Sequence, residues 1–301
     1  MPELPDITLY VDALNDRLLD RTLDQIRIVS PFLLRTVEPP VREAAGRRFI
    51  GFSRMGKCIV AALEGELFVV LHLMIAGRLQ WKQAGAPIPG RLGLAAFDVA
   101  EGTLLLTEAG SRKRAWMRLV AGAADVAELD RGGLEVIGST PASFRERLLR
   151  ENHTLKRALT DPRLFSGIGN AYSDEILHAA RLSPLRLTRR LRDEEIARLH
   201  EAAGRTLILW TERLRQDCAG SFPGKVTAFR EGMAAHGRFR KPCPVCGTAI
   251  QRIVHAENEC NYCPRCQTGG KLLADRSLSR LLKKDWPRTI EELEAGGSGK
   301  Q

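Results

Sequence analysis

The sequence predicts an α+β protein in which a β-rich amino-terminal part is followed by a helical part and a metal-binding segment. Three observations support this fold class. Apolar residues recur at helical spacing directly after the amino terminus, and short apolar runs then alternate with glycine, proline and charged turns as far as residue 122. Two CxxC pairs follow near residue 250, beyond a long region of helical patterns.

The first helix is predicted by one apolar stripe. The stripe consists of Ile7, Tyr10, Val11, Leu14 and Leu18, at i, i+3, i+4, i+7 and i+11. Asp6 is a candidate cap for this helix. The stretch MPELPD in front of it would ordinarily be regarded as a frayed chain start.

Residues 23 to 122 predict an antiparallel β-sandwich or barrel, because short apolar runs are separated by turn residues throughout. The apolar run FVVLHLMIAG is too short to span a membrane and contains His72. Since no window resembles a signal peptide, we expect a soluble intracellular protein.

A helical region is predicted from Thr140 onward, where a capping threonine precedes a proline. Helical patterns continue through AYSDEILHAARL and the long segment DEEIARLHEAAGRTLILWTERLRQ. The following residues 218 to 242 predict a loop.

The charge balance favours a polyanionic partner. The chain of 301 residues has 46 basic and 36 acidic side chains and a net charge of +10. In the absence of a membrane feature, nucleic acid is the first candidate, although a solvated basic surface is the alternative.

The cysteine cluster predicts one structural zinc ion. Cys243, Cys246, Cys263 and Cys266 form two CxxC pairs separated by sixteen residues. Cys260 is also CxxC-spaced from Cys263, so a competing ligand set exists; the similarity of KPCPVCG and YCPRCQ favours the first set. Buried or redox-active cysteines are the alternative.

The turn Gly-Ile-Gly-Asn before the helix AYSDEILHAA is a candidate phosphate site. Its glycines permit close approach of a ligand to the backbone, and the amide of Asn170 can cap the helix or bind a phosphate. Lys156 and Arg157 add positive charge nearby in sequence. An ordinary capped turn between helices is the alternative.

Together these segments resemble the formamidopyrimidine-DNA glycosylase / endonuclease VIII family. The matching stretches are PELPD, RMGK, GIGNAYSDE and HGRFRKPCPVCG…YCPRCQ, in the family's order over about residues 2 to 270. The resemblance implies an N-terminal antiparallel β-sandwich with an N-terminal helix (1–130), a helix–two-turn–helix domain (131–235), a zinc finger (236–270) and a basic C-terminal extension (271–301).

The resemblance also implies the catalytic residues. In this family the initiator methionine is removed and the proline amine attacks C1′ of a damaged nucleotide, so Pro2 is the implied nucleophile and Glu3 the implied proton shuttle. An α-amine suits this role because its pKa lies near 8. Lys57, in the turn of RMGK, is an implied phosphate contact near the scissile site.

Further residues carry over as DNA contacts. Lys156 and Asn170 are implied phosphate binders. The family fills the gap left by the extruded base with a methionine in HLGMSG; here HLMIAG places Ile75 at that position and Met74 one residue earlier. Because neighbours in a strand face opposite ways, only one of the two is expected to enter the stack.

Two departures affect the DNA contacts. The family's finger arginine, five residues before the third zinc ligand, is replaced by Asn258 between Glu257 and Glu259. Arg252, Arg265 and the C-terminal extension are the candidates for the missing charge. The family's DPRRFG motif is replaced by TEAGSRKRA, which lacks the phenylalanine.

The expected function is removal of oxidised bases from damaged double-stranded DNA by a cytoplasmic, monomeric bifunctional glycosylase/lyase with one structural zinc ion. The expected substrates are 8-oxoguanine, formamidopyrimidines or oxidised pyrimidines, with β,δ-elimination after excision. A non-catalytic or lyase-only damage-binding protein of the same fold is the first alternative, and a zinc-ribbon protein acting on RNA is the second.

Overall fold

The computed structural model describes residues 1–110, 112–224, 226, 229–255, 258–274 and 287–297. These residues form two compact units: Met1–Gly132 with Leu209–Ala228, and Gly133–Ile208 with Phe229–Gln301. In the C-terminal extension, Leu272, Leu278, Leu281 and Leu282 predict a helix that packs back on the protein, and the last three of these leucines lie outside the described residues. No helix within the described ranges has the length and apolar character needed to cross a membrane.

The first unit contains two four-stranded sheets and the amino-terminal helix, together with a short helix after the last strand and the end of a long helix. Helix α1 spans Leu4–Leu18. The strands are β1 (Gln25–Ile28), β2 (Phe49–Met55), β3 (Cys58–Leu63), β4 (Leu67–His72), β5 (Gly77–Lys82), β6 (Gly93–Val99), β7 (Gly102–Glu108) and β8 (Trp116–Ala121). The sheet orders are β1-β6-β7-β5 and β2-β3-β4-β8, and all pairs between neighbouring strands are antiparallel. This arrangement confirms the predicted antiparallel sandwich.

One apolar core joins α1 to both sheets. The stripe residues Ile7, Tyr10, Leu14 and Leu18 are buried in it, and Val11 packs at its edge. Strand β4 is apolar on both faces because Leu67, Val69 and Leu71 enter this core while Val70 packs beneath helix α2 (Ala123–Glu128). A strand covered on both sides reads as a continuous apolar run, which explains FVVLHL.

The observed N-cap of α1 lies three positions before the predicted one. Glu3 is the N-cap, and Asp6 occupies the third helical position of a capping box. The Glu3 backbone N–H donates to Asp6 Oδ2 at 2.8 Å. Asp6 therefore fixes Glu3 instead of beginning the helix itself.

The second unit is helical up to the finger. Its helices are α3 (Pro141–Leu149), α4 (Leu155–Thr160), α5 (Asn170–Ala179) and the first part of α6 (Asp193–Cys218). Thr140 caps α3 as predicted, since its hydroxyl accepts from Ser143 N–H at 3.1 Å. The finger contains the antiparallel hairpin β9 (Gln251–His255) and β10 (Asn258–Tyr262), then α7 (Pro264–Thr268); α8 spans Ile290–Gly297.

Candidate active site and nucleic-acid interface

The amino terminus is held in place and not frayed. Pro2 and Glu3 are buried, and Glu3 is 2% exposed. The Glu3 carbonyl accepts from Ile7 N–H at 2.9 Å, which continues the helix back to Glu3. A buried carboxylate therefore lies at a fixed position beside the start of the chain, as general acid–base chemistry requires.

The surroundings of the terminal amine, which in the full chain is that of Met1, lower its pKa. Burial is the largest cause, since it disfavours the ammonium form, and the positive charges of Arg78 and Lys57 act in the same direction. Glu3 and Asp6 act against them. Lys57 and Arg78 therefore act electrostatically on the amino terminus, although both are far from it in sequence.

Lys57 lies in a two-residue turn between β2 and β3, which pair through Met55 and Cys58. The turn needs Gly56, whose φ is +60°, in the left-handed region that glycine tolerates. The charge of Lys57 also acts on His72. Burial first, and then this charge, lowers the pKa of the His72 imidazole to about 4. His72 is therefore neutral at physiological pH.

Met74 and Ile75 lie in a turn between β4 and β5, not in a strand. The expected strand alternation is therefore wrong at this position: Met74 has φ +51°, and Ile75 is 50% exposed. Met74 N–H donates to Nδ1 of His72 at 3.0 Å, and the His72 ring stacks on Trp116 with centroids 5.5 Å apart. The turn thus presents Ile75 to solvent from a fixed backbone.

Gly77 closes the same turn. Its N–H donates to Leu73 O at 2.8 Å, and a Cβ at this position would lie 2.2 Å from that oxygen. Only glycine permits this approach. The Arg78 guanidinium donates to Gly77 O at 2.6 Å. The sequence did not indicate this residue, because it follows the stretch HLMIAG and belongs to no spacing pattern of its own.

The loop that replaces DPRRFG is organised by a buried carboxylate. Glu108 is 2% exposed, and its Oε2 accepts from the N–H groups of Arg114 and Ala115 at 2.8 and 3.1 Å. The Lys113 ammonium donates to the Glu108 carbonyl. The glutamate of TEAGSRKRA therefore shapes the loop, a role that its sequence position did not reveal.

Asn170 is the first residue of α5, and Gly169 is its N-cap. The predicted capping role is therefore wrong for Asn170. Its side-chain amide donates to Glu259 O at 2.8 Å, which ties α5 to the finger hairpin. A phosphate contact by Asn170 remains a prediction.

Lys156 pairs with a fully buried carboxylate. Its ammonium lies 2.5 Å from Asp174 Oδ1 and 2.6 Å from the Asn170 carbonyl, and its side chain is 15% exposed. The lysine thus neutralises Asp174, a partner that the sequence did not indicate. Its phosphate contact also remains a prediction.

Asp174 joins four segments of the second unit. Besides Lys156 on α4, it accepts from Asn261 N–H of β10 at 3.1 Å and lies 2.8 Å from His236 Nδ1. Burial opposes ionisation, but Lys156 and His236 together keep the pKa of Asp174 below its usual value. The adjacent Glu175 accepts three backbone N–H groups from residues 234 to 236, at 2.7 to 2.9 Å.

The zinc-ligand set of the sequence prediction comes together. The Sγ atoms of Cys243, Cys246, Cys263 and Cys266 all lie within 4.8 Å of one another, and Cys260 is outside this group. Tetrahedral zinc with bonds of about 2.3 Å needs sulfurs about 3.8 Å apart. The Cys246–Cys263 and Cys243–Cys266 separations of 3.4 and 4.0 Å fit this requirement.

Neighbouring side chains support the four thiols. His178 Nε2 lies 3.2 Å from Cys243 Sγ. Gln267 accepts from Cys263 N–H at 2.8 Å and donates to Leu182 O at 2.9 Å. Such surrounding hydrogen bonds orient ligands in metal sites.

Arg252 of the hairpin is paired within the finger. Its guanidinium lies 3.0 Å from Glu259 Oε2 and over the ring of Phe239, with Cζ 4.3 Å from the centroid. The backbone of Asn258 begins β10. The sequence indicated the charge of Arg252 but not its ring partner.

Three family models match the chain in order along its length. They are described as the formamidopyrimidine-DNA glycosylase N-terminal domain, at residues 1–115, the H2TH domain of the same enzyme, at 138–213, and a zinc finger found in FPG and IleRS, at 240–269. A formamidopyrimidine-DNA glycosylase of Moorella thermoacetica is 31% identical over 84% of this chain and 94% of its own length.

Solved structures of similar proteins have the same fold. The MutM (FPG) protein of Thermus thermophilus is 31% identical, with a TM-score of 0.75 over 88% of this chain and 98% of its own. The FPG (MutM) of Lactococcus lactis in complex with FAPY-dG-containing DNA is 25% identical, with a TM-score of 0.79 over 88% of this chain and all of its own.

Proposed function

Since this chain belongs to the formamidopyrimidine-DNA glycosylase family, we propose that it excises oxidised bases from damaged duplex DNA and then cleaves the abasic strand. The proposed substrates are 8-oxoguanine, formamidopyrimidines or oxidised pyrimidines, and the proposed acting form is a monomer. The observation that carries the proposal is the amino terminus, where Glu3 is buried and fixed by a capping box, and where burial first and then nearby cations lower the pKa of the Met1 amine.

The nucleophile is the amine of Pro2 after removal of Met1. The nitrogen attacks C1′ of the lesion nucleotide, the glycosidic bond breaks, and the base leaves with its bonding electrons and a proton. Loss of the ring C–O bond then gives an iminium between Pro2 and the opened sugar. In the full chain the pKa of the Met1 amine is lowered at this place. The same surroundings, acting on the Pro2 amine once Met1 is removed, would increase its unprotonated fraction near neutral pH, which supports this role.

Glu3 moves the protons. Its carboxylate is adjacent to the nucleophile and can protonate the departing sugar oxygen and stabilise positive charge on the sugar. Abstraction of a C2′ proton from the iminium allows the 3′ phosphate to leave by β-elimination, and a second elimination releases the 5′ phosphate. Lys57 contributes a positive charge for the phosphate beside the reacting sugar.

The remaining predicted residues hold the distorted duplex. Ile75, exposed on its turn, fills the gap left by the extruded base, with Met74 beside it. Lys156 and Asn170 act at the backbone of the DNA together with the finger, where Arg252 and Asn258 lie. One zinc ion, held by the thiolates of Cys243, Cys246, Cys263 and Cys266, stabilises the finger and takes no part in the reaction.

The alternative is a non-catalytic or lyase-only damage-binding protein. It is favoured by Asn258, which brings no charge to the finger, and by the loop TEAGSRKRA, which lacks the family's phenylalanine. A fixed carboxylate at Glu3 and a lowered amine pKa favour the enzyme, because binding alone needs neither.

Borohydride trapping distinguishes these functions. The full-length protein, with Met1 removal checked by mass spectrometry, is incubated with duplexes carrying 8-oxoguanine, a formamidopyrimidine, an oxidised pyrimidine or an abasic site. We expect a covalent adduct that peptide mapping assigns to Pro2, and loss of base excision in Glu3→Gln. An adduct with the abasic site alone would indicate a lyase; tight binding without any adduct would indicate the binder.

A further inference from the structure

We propose that Arg252 is the residue through which the finger holds a DNA phosphate, and that Glu259 is a counter-ion which this phosphate displaces. The inference rests on the proposed function, since it requires a duplex as ligand. It assigns the contact to an arginine on the first strand of the hairpin and gives a role to the acid diagonal to it on the second strand.

The Arg252–Glu259 pair is built so that it can exchange partners. The two side chains are 43% and 31% exposed, with Nη1 and Oε2 3.0 Å apart. Exposed ion pairs of this kind contribute little to stability. A phosphate can therefore replace the carboxylate without leaving a buried charge unpaired, and the carboxylate remains in water.

The ring of Phe239 orients the guanidinium independently of Glu259. Arg252 Cζ lies 4.3 Å from the ring centroid, and Arg240 Cζ lies 5.2 Å from the same centroid. Arginine stacked on an aromatic face keeps its planar N–H donors available for a bidentate anion. The guanidinium therefore stays in place when the carboxylate leaves.

The strand register places both charged residues on one face of the hairpin. Arg252 is opposite Asn261, and Glu259 is opposite Val254, so Arg252 and Glu259 occupy diagonal positions on the same face. Asn261 is buried and Val254 is exposed, so this face runs from the interior towards solvent at Glu259.

The charge of the finger favours an anion at this place. Between residues 238 and 271 the basic residues are Arg238, Arg240, Lys241, Arg252, Arg265 and Lys271, and the acids are Glu257 and Glu259. Of these acids, Glu259 lies on the strand that pairs with the strand of Arg252. An acid beside one cation in a basic segment lowers the affinity for phosphate until it is displaced.

The test is duplex binding by fluorescence anisotropy, as a function of KCl, with a duplex carrying a tetrahydrofuran abasic-site analogue. We expect Arg252→Gln to weaken binding about five- to tenfold and to reduce the salt slope by about 0.9. We expect Glu259→Gln to tighten binding about two- to fivefold. In the double variant, the gain from Glu259→Gln should disappear, because there is no arginine left to release.

A matched control uses another exposed pair, Arg205 and Glu201 on α6, which are 3.9 Å apart. Arg205→Gln and Glu201→Gln alter the net charge identically, and zinc content is measured for every variant. The inference is overturned if Glu259→Gln still tightens binding when Arg252 is absent, or if Arg252→Gln and Arg205→Gln weaken binding equally. Binding without a borohydride adduct removes the proposed catalysis alone; absence of duplex binding by the unaltered protein removes both.

Discussion

At the residue scale, the pKa of the terminal amine, that of Met1 in the full chain, depends on burial first and then on charges from distant parts of the sequence. Burial, Arg78 and Lys57 lower its pKa, and the carboxylates of Glu3 and Asp6 partly oppose them. Lys57 is proposed to contact phosphate, which would neutralise some of its effect when DNA is bound. Arg78 is therefore the better residue with which to test the electrostatics.

We predict that Arg78→Gln raises the pKa of the amine. Removing a positive neighbour stabilises the protonated form, so less free amine is present at a given pH and the acidic limb of the rate profile moves to higher pH. The measurement is the rate of borohydride trapping against pH on an abasic duplex. Arg78→Lys keeps the charge and should retain the original profile; equal shifts in both variants would instead indicate loss of the hydrogen bond to Gly77.

At the element scale, the turn between β4 and β5 is a rigid support for Ile75. Three features define it: the Met74–His72 hydrogen bond, the stacking of His72 on Trp116, and the close approach of Gly77 to Leu73 O. Because the pKa of His72 is about 4, its Nδ1 remains able to accept at neutral pH. The support therefore persists over the pH range in which the amine titrates.

We predict that Gly77→Ala destabilises the protein by about 1–3 kcal/mol, because the new methyl group would meet backbone and not a movable side chain. Chemical denaturation measures this loss. Gly51→Ala in β2 is the matched control, since a Cβ there meets nothing within 4 Å. Displacement of Ile75 should also slow trapping on a base-paired lesion more than on a ready-made abasic site; equal slowing would argue against a gap-filling role.

Helices α4 and α5, the segment around His236 and strand β10 meet at Asp174. The carboxylate is fully buried, and its charge is matched by Lys156 at 2.5 Å. A buried pair is not in itself strong evidence for stability, but removing one partner leaves the other charge uncompensated. The connection between α5 and the finger is thus vulnerable at a single position.

We predict that Asp174→Asn destabilises the second unit by about 3–5 kcal/mol. Asp161→Asn is the control: its pair with Arg163, at 2.7 Å, includes an arginine that is 58% exposed, and it should cost less than about 1 kcal/mol. Because the folded-state pKa of Asp174 is below its usual value, its contribution is present above about pH 4 and is lost as pH falls through the lower, folded value. The stabilities of the unaltered protein and of Asp174→Asn should therefore converge below that pH, as measured by acid denaturation.

At the scale of the whole molecule, local sequence patterns predicted the secondary-structure elements but not the contacts between residues far apart in the chain. Four features were predictable because each repeats or has a fixed spacing in the sequence: the stripe of α1, the sandwich, the cap at Thr140 and the four zinc thiols. The partners of Lys156 and Glu108 could not be predicted in this way. The carboxylate that pairs with Lys156 is 18 residues away, and the loop that folds back onto Glu108 has no periodic signal in its sequence. The left-handed Met74 was missed because its neighbours are apolar and resemble strand residues.

The division of the chain into two units predicts how zinc removal affects each of them. The four thiols belong entirely to the second unit, and folding of a small metal finger depends on its ion. We expect chelation to increase amide hydrogen exchange in β9, β10 and α7, and then in α5, which is joined to the finger through Asn170 and Asp174. Strands β2 to β8 should stay protected, because their core contains no finger residue.

Two cysteine variants separate the metal from the thiol. Cys263→Ser should lose the zinc and reproduce the exchange pattern of the chelated protein, whereas Cys260→Ser should retain one zinc ion per chain, since its sulfur lies outside the four-thiol group. Zinc content by atomic emission and exchange by mass spectrometry give both results on the same samples. Loss of zinc from Cys260→Ser would restore the competing ligand set, and increased exchange throughout β2 to β8 on chelation would show that the first unit depends on the metal as well.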